Sequence, residues 1–389
     1  MRCKSNPLYQ INGYKEGIPY ILFDLASWKN GLAFKDITFS TTGVPIIKIA
    51  ELNNGIGITT AYTNQIFSDD VHLLKNDLLF SWSGNPETSI DIFRFKLEEG
   101  WLNQHIFKVI PNENIVNKDF FYFFMKYLKP YFVKIASNKQ TIGLGHITVA
   151  DLKRMSVILP NMKIQQAIAA VLNALDDKIE VNRRINTNLE QQAQAIFKEM
   201  FIQKKGKPVL LSDFCDFIKG KNPAVITSTY QTGAAFYLNI DSLTDIKQTY
   251  AIPKNFAMAN VKDILMVMDG ASSGTVYFGK EGIIGSTLAK IVVSDLSMQE
   301  VIYQTLKYFE NDVRSHTTGS AIPHVDKQYI LHLSVSLPDD YQLYSAYFET
   351  IRNMMIKNRT KNICLSTLRD TLLPKLMSGE IDVSKIEVD

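Results

Sequence analysis

The chain has 389 residues, 46% of them hydrophobic, with 42 basic against 39 acidic side chains and a formal net charge of +3. That length fits two domains with connecting elements, the apolar share lets each bury a core, and the mildly basic charge permits nucleic-acid binding through local patches without arguing for it. No apolar run is long enough to cross a membrane, MRCKSNPLYQ lacks a signal-peptide core, and Cys3, Cys215 and Cys364 form no CxxC pair, which points to free thiols in a reducing cytoplasm rather than to disulfides or structural zinc.

Short stretches rich in β-branched and aromatic residues come first. YILFDL, GVPIIKIAEL, DLLFSW and HIFKVIP predict strands separated by turns. A brief helix is expected over DFFYFFMKYLKPYF, and the apolar strand SVILP stops at Pro160. The aromatic run Phe120–Phe124 is expected to pack in a core rather than to stack on bases. From Gln165 to Phe201 the texture changes, with no Gly or Pro. Ile164, Ile168, Val171, Leu175, Asn182, Ile185, Leu189, Ala193, Ile196 and Met200 fall at alternating three- and four-residue steps, with one irregularity after Leu189. The pattern predicts a long amphipathic helix with a coiled-coil seam, spanning roughly 55 Å at about 1.5 Å per residue.

The same order then recurs. AAFYLNI, DILMVMDG, TVYFG and LAKIVVS predict strands, SMQEVIYQTLKYFEN a helix, and SVSLP a strand stopped at Pro338. A second long helix follows from about Tyr341 to Leu373, its seam running Tyr347, Ile351, Met354, Asn358, Lys361, Leu365, Leu368 and Leu372. Asn182 and Asn358 stand at corresponding places, and antiparallel pairing would bring them together at mid-length. Either they share the seam, where a polar residue fixes register, or both face solvent.

Local wording repeats as well. LFDLASWKNG around Asp24 matches LSDFCDFIKG around Asp213, KNDLLFSWSG matches VKDILMVMDG, and GHITVADLKRMSVILP matches PHVDKQYILHLSVSLP. The order is kept while the offset drifts by loop-sized amounts, as after duplication and divergence. The expected fold is α+β: two similar α/β domains separated by two long antiparallel coiled-coil helices, as a pseudo-twofold internal repeat. The expected boundaries are residues 1–160 for the first domain, 161–204 for the central helix, 205–338 for the second domain, 339–378 for the C-terminal helix and 379–389 for a tail.

With QQAIAAVLNALDDKIEVNRRINTNLEQQAQAIFKEMF, LSTLRDTLLPKLMSGEI and LSDFCDFIKGK in this layout, the chain resembles the specificity subunit of type I restriction–modification enzymes over nearly its whole length. The resemblance implies a cytoplasmic protein without catalysis of its own. Its two target-recognition domains would each read half of a split sequence in double-stranded DNA, and divergence between the copies implies unequal halves. The helices would set the gap and dock two modification (methyltransferase) subunits, which use S-adenosylmethionine. Restriction subunits using ATP and magnesium would join them. The chain itself would hold no cofactor and no metal.

Candidate DNA contacts lie on the polar loops preceding each terminal strand: Lys134, Ser137, Asn138, Lys139, Gln140, Thr141 and His146 in the first copy, and Arg314, Ser315, His316, Thr317, Thr318, Ser320 and His324 in the second. Asn, Gln, Arg and Thr can read base edges, and glycines allow close backbone approach. Lys29 beside Gly31, and Lys219 and Lys221 flanking Gly220, are candidate phosphate contacts on matched turns. The paired turns Ser81–Asn85 and Asp269–Gly274 read as structural hairpin turns in preference to a second DNA-facing loop.

Two motifs point elsewhere. Gly270-Ala271-Ser272-Ser273-Gly274 matches a nucleophile elbow, and with His324 and Asp326 a Ser272 hydrolase can be drawn. That motif needs a following helix, whereas TVYFG predicts a strand. Asn6-Pro7-Leu8-Tyr9 departs from an adenine-methyltransferase motif at its third position. No phosphate-binding G-x-x-x-x-G-K-S/T is present, and the histidines lack metal spacing. A two-domain adaptor binding proteins through its coiled coil is the other reading.

Overall fold

The central strand Leu78–Ser81 is buried along its whole length, and so is its counterpart Ile264–Val267. The computed structural model describes residues 9–10, 14, 17–35, 37–57, 59–139, 143–244, 248–319 and 322–384, in two units: Met1–Ile179 with Cys364–Asp389, and Glu180–Ile363.

In the first unit a four-stranded antiparallel sheet has the order Ala26–Asn30, Ile106–Pro111, Leu78–Ser81, Asp91–Arg94. A second sheet has the order Tyr62–Thr63, Val44–Ile47, Glu99–Leu102, His72–Leu74, with a parallel central pair in which Trp101 lies opposite Ile46. Leu78 and Phe80 join one core with Phe120, Phe121, Phe123 and Phe124 of the helix Lys118–Tyr127. Leu79 points the other way, into a core with Ile46, Ile47, Leu73 and Trp101 of the second sheet. A strand covered on both faces needs apolar side chains at successive positions, so DLLFSW reads as a run rather than an alternation.

The second unit repeats this order strand for strand. Its antiparallel sheet runs Cys215–Lys219, Leu288–Val293, Ile264–Val267, Val276–Tyr277. Its other sheet runs Tyr250–Ala251, Ala235–Leu238, Gly282–Ile284, Met258–Ala259, again with a parallel central pair, Tyr237 opposite Ile283. Ile264 and Met266 face the helix Gln299–Tyr308, while Leu265 and Val267 face Leu238 and Ile284. The expected α+β class and internal repeat are present in the topology itself.

Two local expectations change. GVPIIKIAEL is a strand only over Val44–Ile47, after which Ile49–Asn54 is helical. The single helix expected in each copy is two: Lys118–Tyr127 with Lys129–Ser137, and Gln299–Tyr308 with Glu310–Ser315. Pro130 stands in the first turn of Lys129–Ser137, where its missing N–H costs no helical bond, and it cannot continue the helix before it.

The long helices are Met162–Phe197, continued by a π-type turn over Lys198–Gln203, and Tyr341–Met377. Within each unit they pair antiparallel. In the first unit Arg369 Nη1 meets Asp176 Oδ1 at 2.7 Å, and Ala167, Ile168, Leu172, Leu376 and Met377 share the main core. Gln165, almost fully buried, accepts from the Asn117 amide at 2.9 Å and donates to the Pro160 carbonyl at 2.9 Å, tying helix to globule. In the second unit Phe348, Ile351 and Met355 join Phe197 and Phe201 in the core, and the buried Arg352 reaches Glu300 at 2.8 Å.

The asparagines do lie on the seam, with different partners from those expected. Asn182, 3% exposed, donates to Asn362 Oδ1 at 2.7 Å, and Asn358 donates to Asn186 Oδ1 at 2.9 Å. Asn182 and Asn358 thus lie near one another, about one helical turn apart, each bonded to the asparagine one turn from the other. Leu175, Leu189 and Leu365 are half-buried and Ile351 is buried, whereas Ile185 and Met354 are exposed, with Asn186 and Met355 turned inward beside them. A strict seven-residue frame advances by 3.5 residues per turn and an α-helix by 3.6, so the assigned face drifts off the true one.

Candidate nucleic-acid interface

In each antiparallel sheet two strands run in the same direction on either side of a central antiparallel one, so their C-terminal ends emerge together. In the second unit Lys219 lies opposite Ala289, and Met266 opposite the same residue from the other side. That end of the sheet carries Lys219 and, just past Val267, Asp269. The segment containing His324 is laid across it by backbone bonds from Val325 N to Met268 O at 2.9 Å and from Gly270 N to Pro323 O at 2.9 Å. The first unit makes the matching bond, Ile147 N to Trp82 O at 2.8 Å, and pairs His146 with Ser83. The correspondence of His146 and His324 is thus a fact of register as well as of wording.

The matched turn glycines have a steric cause. A Cβ at Gly31 would fall on the carbonyl oxygen of Asn103, and one at Gly220 on that of Ile284. The chain passes close at both places because Leu32 N bonds Leu102 O and Lys221 N bonds Ile284 O. The adjacent lysines are thereby fixed in position. Lys29 pairs with Asp70 at 3.2 Å and Lys219 with Asp269 at 2.9 Å, while the Lys221 side chain is exposed and has no ion pair among the described residues.

The loop candidates divide into free and committed groups. Lys134, Ser137 and Asn138 are exposed, as are His146 and Arg314. Lys134 and Arg314 make no side-chain hydrogen bond or ion pair among the described residues. Lys139, by contrast, donates to Asp151 at 2.6 Å, and Thr148 donates to the same carboxylate from its hydroxyl at 2.6 Å and its amide at 2.8 Å. Burial alone would raise the Asp151 carboxyl; the Lys139 and Thr148 bonds outweigh it and hold the group below its ordinary range. In the second loop Ser315 and Thr317 turn their hydroxyls back onto the carbonyls of Asp312 and Arg314. His316 stacks on Tyr329 with ring centroids 3.9 Å apart, and Thr318 pairs backbone to backbone with His324. Gln140, Thr141 and Ser320 lie outside the described residues, as do Cys3 and Asn6-Pro7-Leu8.

Asp269 lies in the hairpin turn between Ile264–Val267 and Val276–Tyr277 and does more than shape that turn. Its carboxylate takes Lys219 Nζ on Oδ2 and His324 Nδ1 on Oδ1, the latter at 2.7 Å. Burial alone would raise it, and the bonds and charges of Lys219 and His324 win, keeping it below the usual carboxylate range. The signal in the sequence was a charged residue directly following a fully apolar strand, at the level of two candidate contacts. The Ser272 triad does not assemble: His324 is bound by Asp269, and Asp326 caps the helix Lys327–Leu331 by accepting from the Gln328 and Tyr329 amides. The residues after Gly274 form the strand Val276–Tyr277, as TVYFG predicts.

No helix is long and apolar enough to cross a membrane, and no group of metal-ligating side chains is found among the described residues. The chain is similar to the specificity subunit of the type I restriction enzyme MjaVIII from Methanocaldococcus jannaschii, 33% identical over 148 residues, which are 36% of this chain and 35% of that one. It is also similar to the specificity subunit of HindI from Haemophilus influenzae, 32% identical over 174 residues, 41% of this chain and 38% of that one. These matches thus span well under half the length of either relative. A crystal structure of a type I restriction–modification S subunit from M. genitalium shares the fold, with a TM-score of 0.51 at 16% identity over 92% of this chain and 96% of that one. The family model described as the type I restriction modification DNA specificity domain matches residues 20–191 and again 204–363. The chain belongs to that family and carries its domain twice.

Proposed function

We propose that this chain is the DNA sequence-specificity subunit of a type I restriction–modification complex, each domain reading one half of a bipartite, asymmetric target. The observation that carries the reading is the pair of sheets with identical strand order whose equivalent ends present different side chains: Ser83 against His146 in one, Asp269 against His324 in the other. Two copies of one scaffold offering unlike groups suit two unlike half-sites. Lys134, Lys221 and Arg314, exposed and unpaired among the described residues, supply phosphate contacts. Lys29, Ser137, Asn138, His146, Lys219 and His324 border the same surfaces.

The chain performs no chemistry in this reading. The long helices set the gap between half-sites and dock two modification subunits, which supply S-adenosylmethionine-dependent adenine methylation, and restriction subunits add ATP- and magnesium-dependent cleavage. The test is co-expression with the neighbouring modification subunit, followed by genome-wide mapping of methylated adenines. Methylation confined to one split sequence supports the proposal, and methylation independent of sequence overturns it. Removing one heptad from both long helices, about 10 Å, shifts the gap by about three base pairs; an unchanged gap overturns the spacer role. A protein adaptor would instead show no sequence-dependent DNA binding with the modification subunit present.

A further inference from the structure

Resting on the specificity reading above, we infer that Asp269 is a positioning residue for base readout: it holds the His324 ring so that Nε2 faces outward as the reading atom of the second domain. Three features converge. The Asp269 Oδ1 to His324 Nδ1 distance of 2.7 Å makes Nδ1 the donor to a carboxylate, which settles the tautomer of the neutral ring. The backbone holds the ring from both sides, since His324 N bonds Thr318 O at 2.7 Å, Thr318 N bonds His324 O at 2.8 Å, and Val325 N bonds Met268 O at 2.9 Å. The Ser273 hydroxyl sits between the Gly270 carbonyl, at 2.6 Å, and the Pro323 carbonyl, at 2.9 Å. The imidazole is nevertheless about half exposed, 52%, and its Nε2 has no hydrogen bond among the described residues.

A buried His–Asp pair would be a structural lock. A pair whose inner nitrogen is fixed and whose outer nitrogen is presented at the end of a sheet is a pre-oriented contact. Lys219 completes it: at 2.9 Å from the other carboxylate oxygen it balances the charge of Asp269, so the site does not repel a phosphate backbone. With Nδ1 as donor, the neutral ring offers Nε2 as an acceptor. The major-groove groups that complement an acceptor are the exocyclic amines, N6 of adenine and N4 of cytosine. In the first domain Ser83 stands opposite His146 in place of an acid, so this device belongs to one half-site.

The experiment uses the full chain in complex with its modification subunit. Each base pair of the second half-site is replaced in turn, and relative binding is measured. Asp269→Ala and His324→Ala are expected to flatten discrimination at one and the same base pair by about tenfold or more, leaving the first half-site unchanged. Asp269→Asn, which keeps an acceptor for the Nδ1 proton, is expected to retain most of it. His324 is exposed, so its truncation spares the fold if Asp269→Ala does not. Wild-type discrimination in either alanine variant overturns the assignment. So does uniform weakening on every sequence, or a loss in Asp269→Asn as large as in Asp269→Ala. A wild-type complex that shows no sequence preference overturns the specificity reading itself, and this inference with it.

Discussion

Lys134 and Lys139 sit five residues apart near the end of one helix, and physical chemistry gives them opposite roles. Lys134 is exposed with no partner among the described residues, and so are Lys221 and Arg314. Each released counterion on phosphate contact lowers the salt exponent by about 0.9. Replacing any of the three with alanine is therefore expected to weaken binding to all sequences alike and to flatten the salt dependence by about one unit, read from titrations at several salt concentrations. An altered base preference with an unchanged salt slope would count against phosphate contact. Lys139 instead satisfies the buried Asp151, and Lys139→Ala is expected to cost about 1–3 kcal/mol of folding stability. The Asp151 carboxyl is depressed in the folded state. Its contribution is thus present above the unfolded value of about 3.9 and is lost as pH falls through the lower folded value. The stability gap between wild type and Asp151→Asn should be full near neutrality and shrink in that acid window, measured by urea unfolding at each pH. A gap that widens toward acid would contradict the sign.

Among the elements, the long helices carry the clearest energetic signature. Asn182 with Asn362 and Asn186 with Asn358 satisfy one another across the seam of the second unit. Sliding one helix by a turn would bring only one asparagine of each helix together and leave the other two without their partners, at about 1–3 kcal/mol for each buried amide left unsatisfied. Asn362→Leu alone is expected to destabilise by that amount, because Asn182 then has no partner at its 3% exposure. The double variant Asn182→Leu/Asn362→Leu should recover most of the loss while loosening register. Chemical denaturation of the three variants checks this, and additive losses in the double variant would refute the pairing. The sequence made the helices and Asn182 legible because periodicity is local. It did not show the partner one turn away, since a small error in period grows along the helix until Ile185 and Met354 face outward. The paired central strands were likewise legible as apolar runs. In the other sheets Glu99–Leu102 and Gly282–Ile284, the parallel neighbours of Val44–Ile47 and Ala235–Leu238, were not, being short, glycine-containing and defined only by partners far away in the chain. At the candidate interface the histidines and lysines stood out by type and repetition. Asp269 did not, because an acid on a turn takes its role from what folds against it.

At the scale of the whole chain, duplication has a consequence for how specificity can be exchanged. Each long helix contributes its halves to different units: Gln165 and Asn173 bond the first globule, through Asn117 and through Arg94 with Asp119, while Gln194 bonds Gln304 and Arg359 bonds the Phe278 carbonyl in the second. Each globule therefore shares side-chain contacts with helix segments that lie beyond the loop-to-helix boundary. Replacing residues 1–160 with those of a relative keeps the old Gln165 and Asn173 against a new surface. Replacing Met1–Ile179 together with Cys364–Asp389 moves the domain with its own helix contacts. Both exchanges are expected to change one half of the methylated sequence and leave the other half as it was. The second exchange is expected to do so with a melting temperature near that of the parent. The first should lose stability by the misfit at a buried glutamine and the Arg94–Asn173–Asp119 network, at about 1–3 kcal/mol for each buried polar group left without a partner. Melting curves and methylation maps on the same two chimaeras separate the claims. A change in both half-sites would mean that the domains do not read independently. Equal stability of the two chimaeras would mean that the helix contacts do not help hold the domain.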